Sequence, residues 1–128
     1  MRLAFVVAFL SLVPHAKAET VRASYYGVGE KLPSRRTASG ETFNPMAFTA
    51  ASWMLPIGSV IEVCYERCAA FVRVNDKGPA KWTGRMLDLS LGAAVVIGLR
   101  KPGVDSVTIF RVEAVGRSLA KAFFFPLR

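Results

Sequence analysis

The sequence predicts a small all-β domain, a closed barrel or a sandwich. Three observations carry this reading. Short β-rich or alternating runs recur along the chain and each is bounded by turn residues. One segment alone has the capping and apolar content of a helix. The chain has 128 residues, room for one domain and not two.

The start of the chain stands apart from that domain. Arg2 gives a positive n-region, Leu3 to Val13 is apolar, and Pro14 breaks the run. Ala16-Lys17-Ala18 fits the small-x-small cleavage rule, so residues 1–18 read as a secretory signal cut before Glu19. The run is too short to span a bilayer, and no stable membrane anchor is expected. The expected location is the periplasm or the extracellular envelope. His15 is the sole histidine and leaves with the signal. An imidazole triad or a His-ligated zinc is then excluded, and no metal or other cofactor is expected. Losing Arg2 and Lys17 takes 17 Lys and Arg down to 15 against 9 acids, a net charge of +6. A secreted basic domain suits a polyanion such as cell wall. Nucleic acid fits poorly, since no nucleic-acid motif accompanies the charge.

The elements follow in order over residues 19–128. Thr20 to Tyr26 alternates and stops at Gly27, a first strand. Gly29 to Asn44 is polar, lacks periodicity and reads as a long loop of the kind that carries function. Leu55-Pro56-Ile57-Gly58 turns into a hairpin, Val60 to Val63 and Ala69 to Val74, with Cys64 and Cys68 flanking its loop. Opposed residues of a non-hydrogen-bonded pair have Cα atoms about 4.5 Å apart, within disulfide range. An exported chain with two cysteines so placed predicts a disulfide, worth on the order of 2 kcal/mol for so short a loop. Met86 to Leu89 is a short strand, and Ser90 caps a helix over Leu91 to Leu99. Asp105 to Val115 is the last strong strand, and the Phe-rich tail from Leu119 to Leu127 is expected to be covered.

Six segments then stand in a telling order: Ala23-Ser24-Tyr25-Tyr26-Gly27, Thr37-Ala38-Ser39-Gly40-Glu41, Phe48-Thr49-Ala50-Ala51, Leu55-Pro56-Ile57-Gly58-Ser59, Val72 to Pro79, and Gly84 to Ser90. The series resembles the RlpA-like septal-ring lytic transglycosylases over about residues 21–115. The resemblance implies a six-stranded double-psi β-barrel, the fold also of expansins, with a groove that takes peptidoglycan glycan strands. In active members it implies cleavage of the MurNAc–GlcNAc β-1,4 bond with a 1,6-anhydro product. Carried over by position, the motif acids are Asp76 and Glu41. Asn75, Tyr26, Thr37, Ser39 and Lys77 stand in or beside the motifs and are the expected substrate contacts. Ser52 stands where the family commonly has histidine and is expected to face the same groove.

The residues alone leave two readings of Asp76 open. It sits between a strand end and Gly78-Pro79, where its carboxylate could cap a turn or serve as an acid. A lytic transglycosylase needs only one such carboxyl, because the sugar's own C6 hydroxyl is the nucleophile. Arg73 and Lys77 stand close in sequence, and a nearby cation weakens a carboxylic acid. Asp88, among Met86, Leu87 and Leu89, reads as a structural acid. The expected protein is a monomeric peptidoglycan lyase. The alternative is a barrel that holds glycan without cutting it, favoured by Ser52, which cannot carry a proton at neutral pH.

Overall fold

The computed structural model describes residues 17–27 and 35–112. Residues 1–16 of the expected signal, residues 29–34 of the long loop and the Phe-rich tail lie outside them, while Lys17 and Ala18 of the expected signal are described and Ala18 opens the first strand. Six strands close a barrel in the order β1-β5-β2-β4-β3-β6. The strands are β1 (Ala18–Tyr26), β2 (Thr49–Ala51), β3 (Val60–Cys64), β4 (Cys68–Asp76), β5 (Leu87–Ser90) and β6 (Asp105–Arg111). β1 runs parallel to β5 and β2 parallel to β4, while the remaining neighbours are antiparallel. This is the six-stranded, mostly β architecture that the motif order implies.

The alternation read from the sequence becomes the inside of the barrel. Ile61 and Val63 of β3, Val72 and Val74 of β4, Leu87 and Leu89 of β5, and Val107 and Ile109 of β6 are all buried. Each strand gives alternate residues to one core, as a period of two requires. Cys64 and Cys68 face each other in register, are disulfide-bonded and have Cα atoms 4.0 Å apart. The bond closes the tip of the β3–β4 hairpin.

Helix α1 (Leu91–Ile97) starts where β5 ends, and the Ser90 hydroxyl accepts from the Ala93 amide. The buried face of α1 is Gly92, Ala93, Ala94 and Ile97, small at its start so that the helix lies close to the chain beneath. That approach is tightest at Gly92, whose amide donates to the Pro45 carbonyl at 2.8 Å. A Cβ there would lie 2.5 Å from the Met46 carbonyl oxygen.

Strand β2 has no clear signal of its own in the sequence. It is three residues long and fully buried, and it earns its place between β4 and β5 by pairing. Its register matters for the site. Ala51 is paired with Asp76 on one side and with Asp88 on the other.

Gly92→Ala tests the helix seat. In an open helix the change would gain roughly 1 kcal/mol of propensity. Here backbone must move to admit the methyl, and we expect a loss of about 1–3 kcal/mol in chemical denaturation.

Candidate active site

Asp76 is the last residue of β4, and two loops are fastened to this strand end. The first is the turn Thr37 to Glu41. Its Thr37 amide donates to the Glu41 carbonyl at 2.8 Å and its Gly40 amide to the Thr37 carbonyl at 2.9 Å. Gly40 has φ +87°, a conformation that glycine adopts without cost. This turn docks by the Ser39 amide on the Asn75 carbonyl at 3.0 Å and by the Ala38 amide on Asp76 Oδ1 at 3.0 Å. Thr37 is buried, and its hydroxyl is 2.9 Å from that of exposed Ser39.

Asp76 itself is 8% exposed. Its Oδ1 also accepts from the Lys77 amide at 2.9 Å, so one carboxylate oxygen is pinned by two backbone donors. Oδ2 has no donor among the described residues, and it is not among the buried atoms that lack a partner. The carboxylate thus has one oxygen pinned by backbone and one that takes no donor from the described residues. The turn reading and the chemical reading of Asp76 are compatible: the Lys77 bond is the turn contact, and it uses only one oxygen.

The second loop begins at Ser52, and here the structure corrects an expectation. Ser52 is 0% exposed and offers nothing to a groove. Its amide donates to the Asp76 carbonyl at 3.1 Å. Its hydroxyl donates to the Met86 carbonyl at 3.1 Å and accepts from the amides of Met54 and Leu55 at 3.1 and 3.2 Å. Serine here ties the strand end, the following loop and the chain before β5 into one knot.

Glu41 is also differently placed from what its motif suggests. Both of its oxygens are held by the Arg73 guanidinium, Oε2 at 2.8 Å. The Arg73 hydrogen bonds hold this carboxyl below its ordinary value of 4.5. It is ionised at neutral pH and has no proton to give. The pairing also removes the concern over Arg73, whose cation is matched by Glu41.

Around the Asp76 carboxylate lie polar atoms with unmet demands. The Tyr26 hydroxyl and Asn75 Oδ1 are buried and have no partner. Tyr26 stacks on Phe43 with ring centroids 4.8 Å apart. Burial, then the charges of Asp76 and Asp88, push its hydroxyl well above the ordinary tyrosine range. Tyr26 therefore stays a neutral donor near both acids. Asp88 accepts from the Ser24 hydroxyl at 2.8 Å, its register neighbour on β1, and so links β1 to β5. Buried polar groups without partners are uncommon in folded chains, and they cluster where a ligand can complete them.

The Lys77 side chain reaches Trp53, with Nζ 5.6 Å from the ring centroid. Lys81 Nζ lies 5.4 Å from the same centroid. Trp53, Met54, Lys81, Arg85 and Met86 line a cleft of about 290 Å³. Nothing in the local sequence marks Lys81 or Arg85 as a site residue. No spacing rule joins residues 53, 81 and 85; only the knot at Ser52 brings their segments together.

With this geometry in view, the chain matches the lytic transglycolase family over residues 18–109. It belongs to that family. Its relatives carry the RlpA name: a probable endolytic peptidoglycan transglycosylase RlpA from Nostoc sp. is 46% identical over 97 residues, 74% of this chain and 25% of that protein. The endolytic peptidoglycan transglycosylase RlpA of Rickettsia bellii is 36% identical over 104 residues, 79% of this chain and 45% of that protein. The chain thus spans less than half the length of these curated relatives. Among solved structures, it is similar to the Streptomyces papain inhibitor, with a TM-score of 0.58 and 24% identity over 79% of this chain and 99% of that one. It is also similar to an apo expansin from Clavibacter michiganensis, with a TM-score of 0.59 and 18% identity over 77% of this chain and 52% of that one. At these identities the two structures show the shared fold alone.

The Glu41–Arg73 pair predicts a pH dependence. Glu41's folded value lies below its unfolded value, so its contribution to stability is complete above pH 4.5 and is lost as pH falls through the folded value. The pair is more than a third exposed on both sides, so solvent screening limits it to at most about 1 kcal/mol. Denaturation of wild type and Glu41→Gln should differ by that small amount at neutral pH. The two should converge in acid well below pH 4.5.

Proposed function

We propose that this barrel is an exported peptidoglycan lytic transglycosylase, acting in the cell envelope as a monomer. The observation that carries the reading is the held Asp76 carboxylate, with one oxygen pinned by backbone and the other open beside unsatisfied polar atoms. The names of the RlpA relatives support the same substrate.

One carboxyl can perform both halves of the reaction. Protonated Asp76 gives its proton to the glycosidic oxygen as the bond from MurNAc C1 breaks. The carboxylate so formed then takes the proton of the C6 hydroxyl as that oxygen closes on C1. The first proton stays on the leaving sugar's hydroxyl, Asp76 is protonated again by the one from C6, no water is consumed, and a 1,6-anhydro sugar is left. Tyr26, a neutral donor, and Asn75, an unmet acceptor, orient the sugars; Thr37 and Ser39 line the approach on the docked turn. Glu41, ionised by Arg73, positions that turn and transfers no proton. Ser52 acts through the chain it knots and touches no substrate. A second reading, a barrel that holds glycan without cutting it, is favoured by the same two facts, because they leave Asp76 without an ionisable helper.

Asp76→Asn distinguishes the two. The amide keeps an acceptor for the Ala38 and Lys77 backbone donors but cannot transfer a proton. Wild type should release anhydro-muropeptides from purified sacculi, and the folded variant should bind sacculi and release none. Equal release from both would remove Asp76 as the acid. Binding by both with release from neither would establish the holding reading.

A further inference from the structure

The proton transfer leaves the cleft next to Asp76 unused. Trp53 keeps 49% of its surface exposed, and Met86 is exposed as well. With Met54 they give the cleft an apolar floor. Its charged lining, Lys81 and Arg85, is wholly cationic, and Lys77 reaches the same indole. The ion pairs Glu41–Arg73 and Glu19–Arg111 involve none of the three. Arg85 Nε is buried and meets no acceptor. Gathering three cations costs energy through mutual repulsion, and a buried guanidinium N–H without an acceptor costs more. An anion seated here would relieve both.

The shape of the lining narrows the anion. A flat aromatic and thioether floor accepts the C–H face of a sugar ring, while cations at its edge accept a carboxylate. The cleft is also fixed relative to Asp76. Ser52 joins the Asp76 carbonyl to the Met86 carbonyl through its own amide and hydroxyl, and Trp53 follows it directly. One polymer chain can therefore engage both places. We propose that the Trp53–Lys81–Arg85 cleft is a subsite for a sugar unit bearing a carboxylate, adjacent to the bond cleaved at Asp76. This rests on the glycan reading above and adds the charge of the unit that is selected. The carboxylate can belong to the sugar's own lactyl ether or to a peptide attached to it.

Calorimetric titration of the full chain with three probes tests the proposal. The probes are peptide-free muramyl strands, strands that keep their peptides, and neutral chitooligosaccharides. For the double variant Lys81→Gln, Arg85→Gln we expect roughly tenfold weaker binding of carboxylate-bearing strands, the loss of about one charge-assisted contact. Binding of the neutral probe should be unchanged, whereas Trp53→Ala should weaken all three. A tenfold loss on peptide-free strands identifies the lactyl carboxylate, and a loss confined to peptide-bearing strands identifies the peptide. Unchanged binding of both acidic probes by the double variant overturns the subsite and leaves the glycan reading standing. An equal loss on the neutral probe also overturns it. Failure of wild type to bind any of the three overturns both.

Discussion

The structure turns on the end of β4. At Asn75 and Asp76 the strand offers two carbonyls and one carboxylate, and these are where the two flanking loops attach. The Ser39 and Ala38 amides fasten one loop, and the Ser52 amide fastens the other. β2 is only three residues long and is placed by its parallel pairing with this strand. If the strand ended one residue earlier, the carboxylate would lose its register beside Ala51 and the loops would lose their anchors. The same few hydrogen bonds therefore build the barrel mouth and aim the acid.

This explains how the site accommodates Ser52. A serine hydroxyl donates once and accepts twice, and here it does so entirely within the protein. What the position supplies is the course of the loop that carries Trp53. Glu41 makes a parallel case. Its carboxylate is spent on Arg73, which steadies the turn whose Ala38 amide pins Asp76. Two positions with the outward look of chemistry thus act through geometry, and the proposed proton transfer falls to a single group.

Much of this was legible in the sequence. The period-two runs marked β1, β3, β4 and β6, the Ser90 cap marked α1, and the ordered motifs implied a closed six-stranded barrel. Cys64 and Cys68 were legible as a pair because a hairpin sets residues four apart across from each other. β2 was not legible, since three buried small residues have no period, and their strand state comes from neighbours far along the chain. Side-chain direction was the other gap. Motif position put Glu41 and Ser52 near Asp76, but only the folded backbone shows that one meets Arg73 and the other turns inward. The Trp53 cleft combines segments about thirty residues apart, which no local pattern reveals.

The central claim is that a single held carboxylate suffices because the sugar supplies its own nucleophile. Digestion of purified sacculi in ¹⁸O-labelled water, followed by mass spectrometry, tests it most directly. The account predicts released fragments that end in anhydro-muramic acid and carry no label from solvent. Reducing-end sugars carrying ¹⁸O would mean that water attacked C1, and would contradict it.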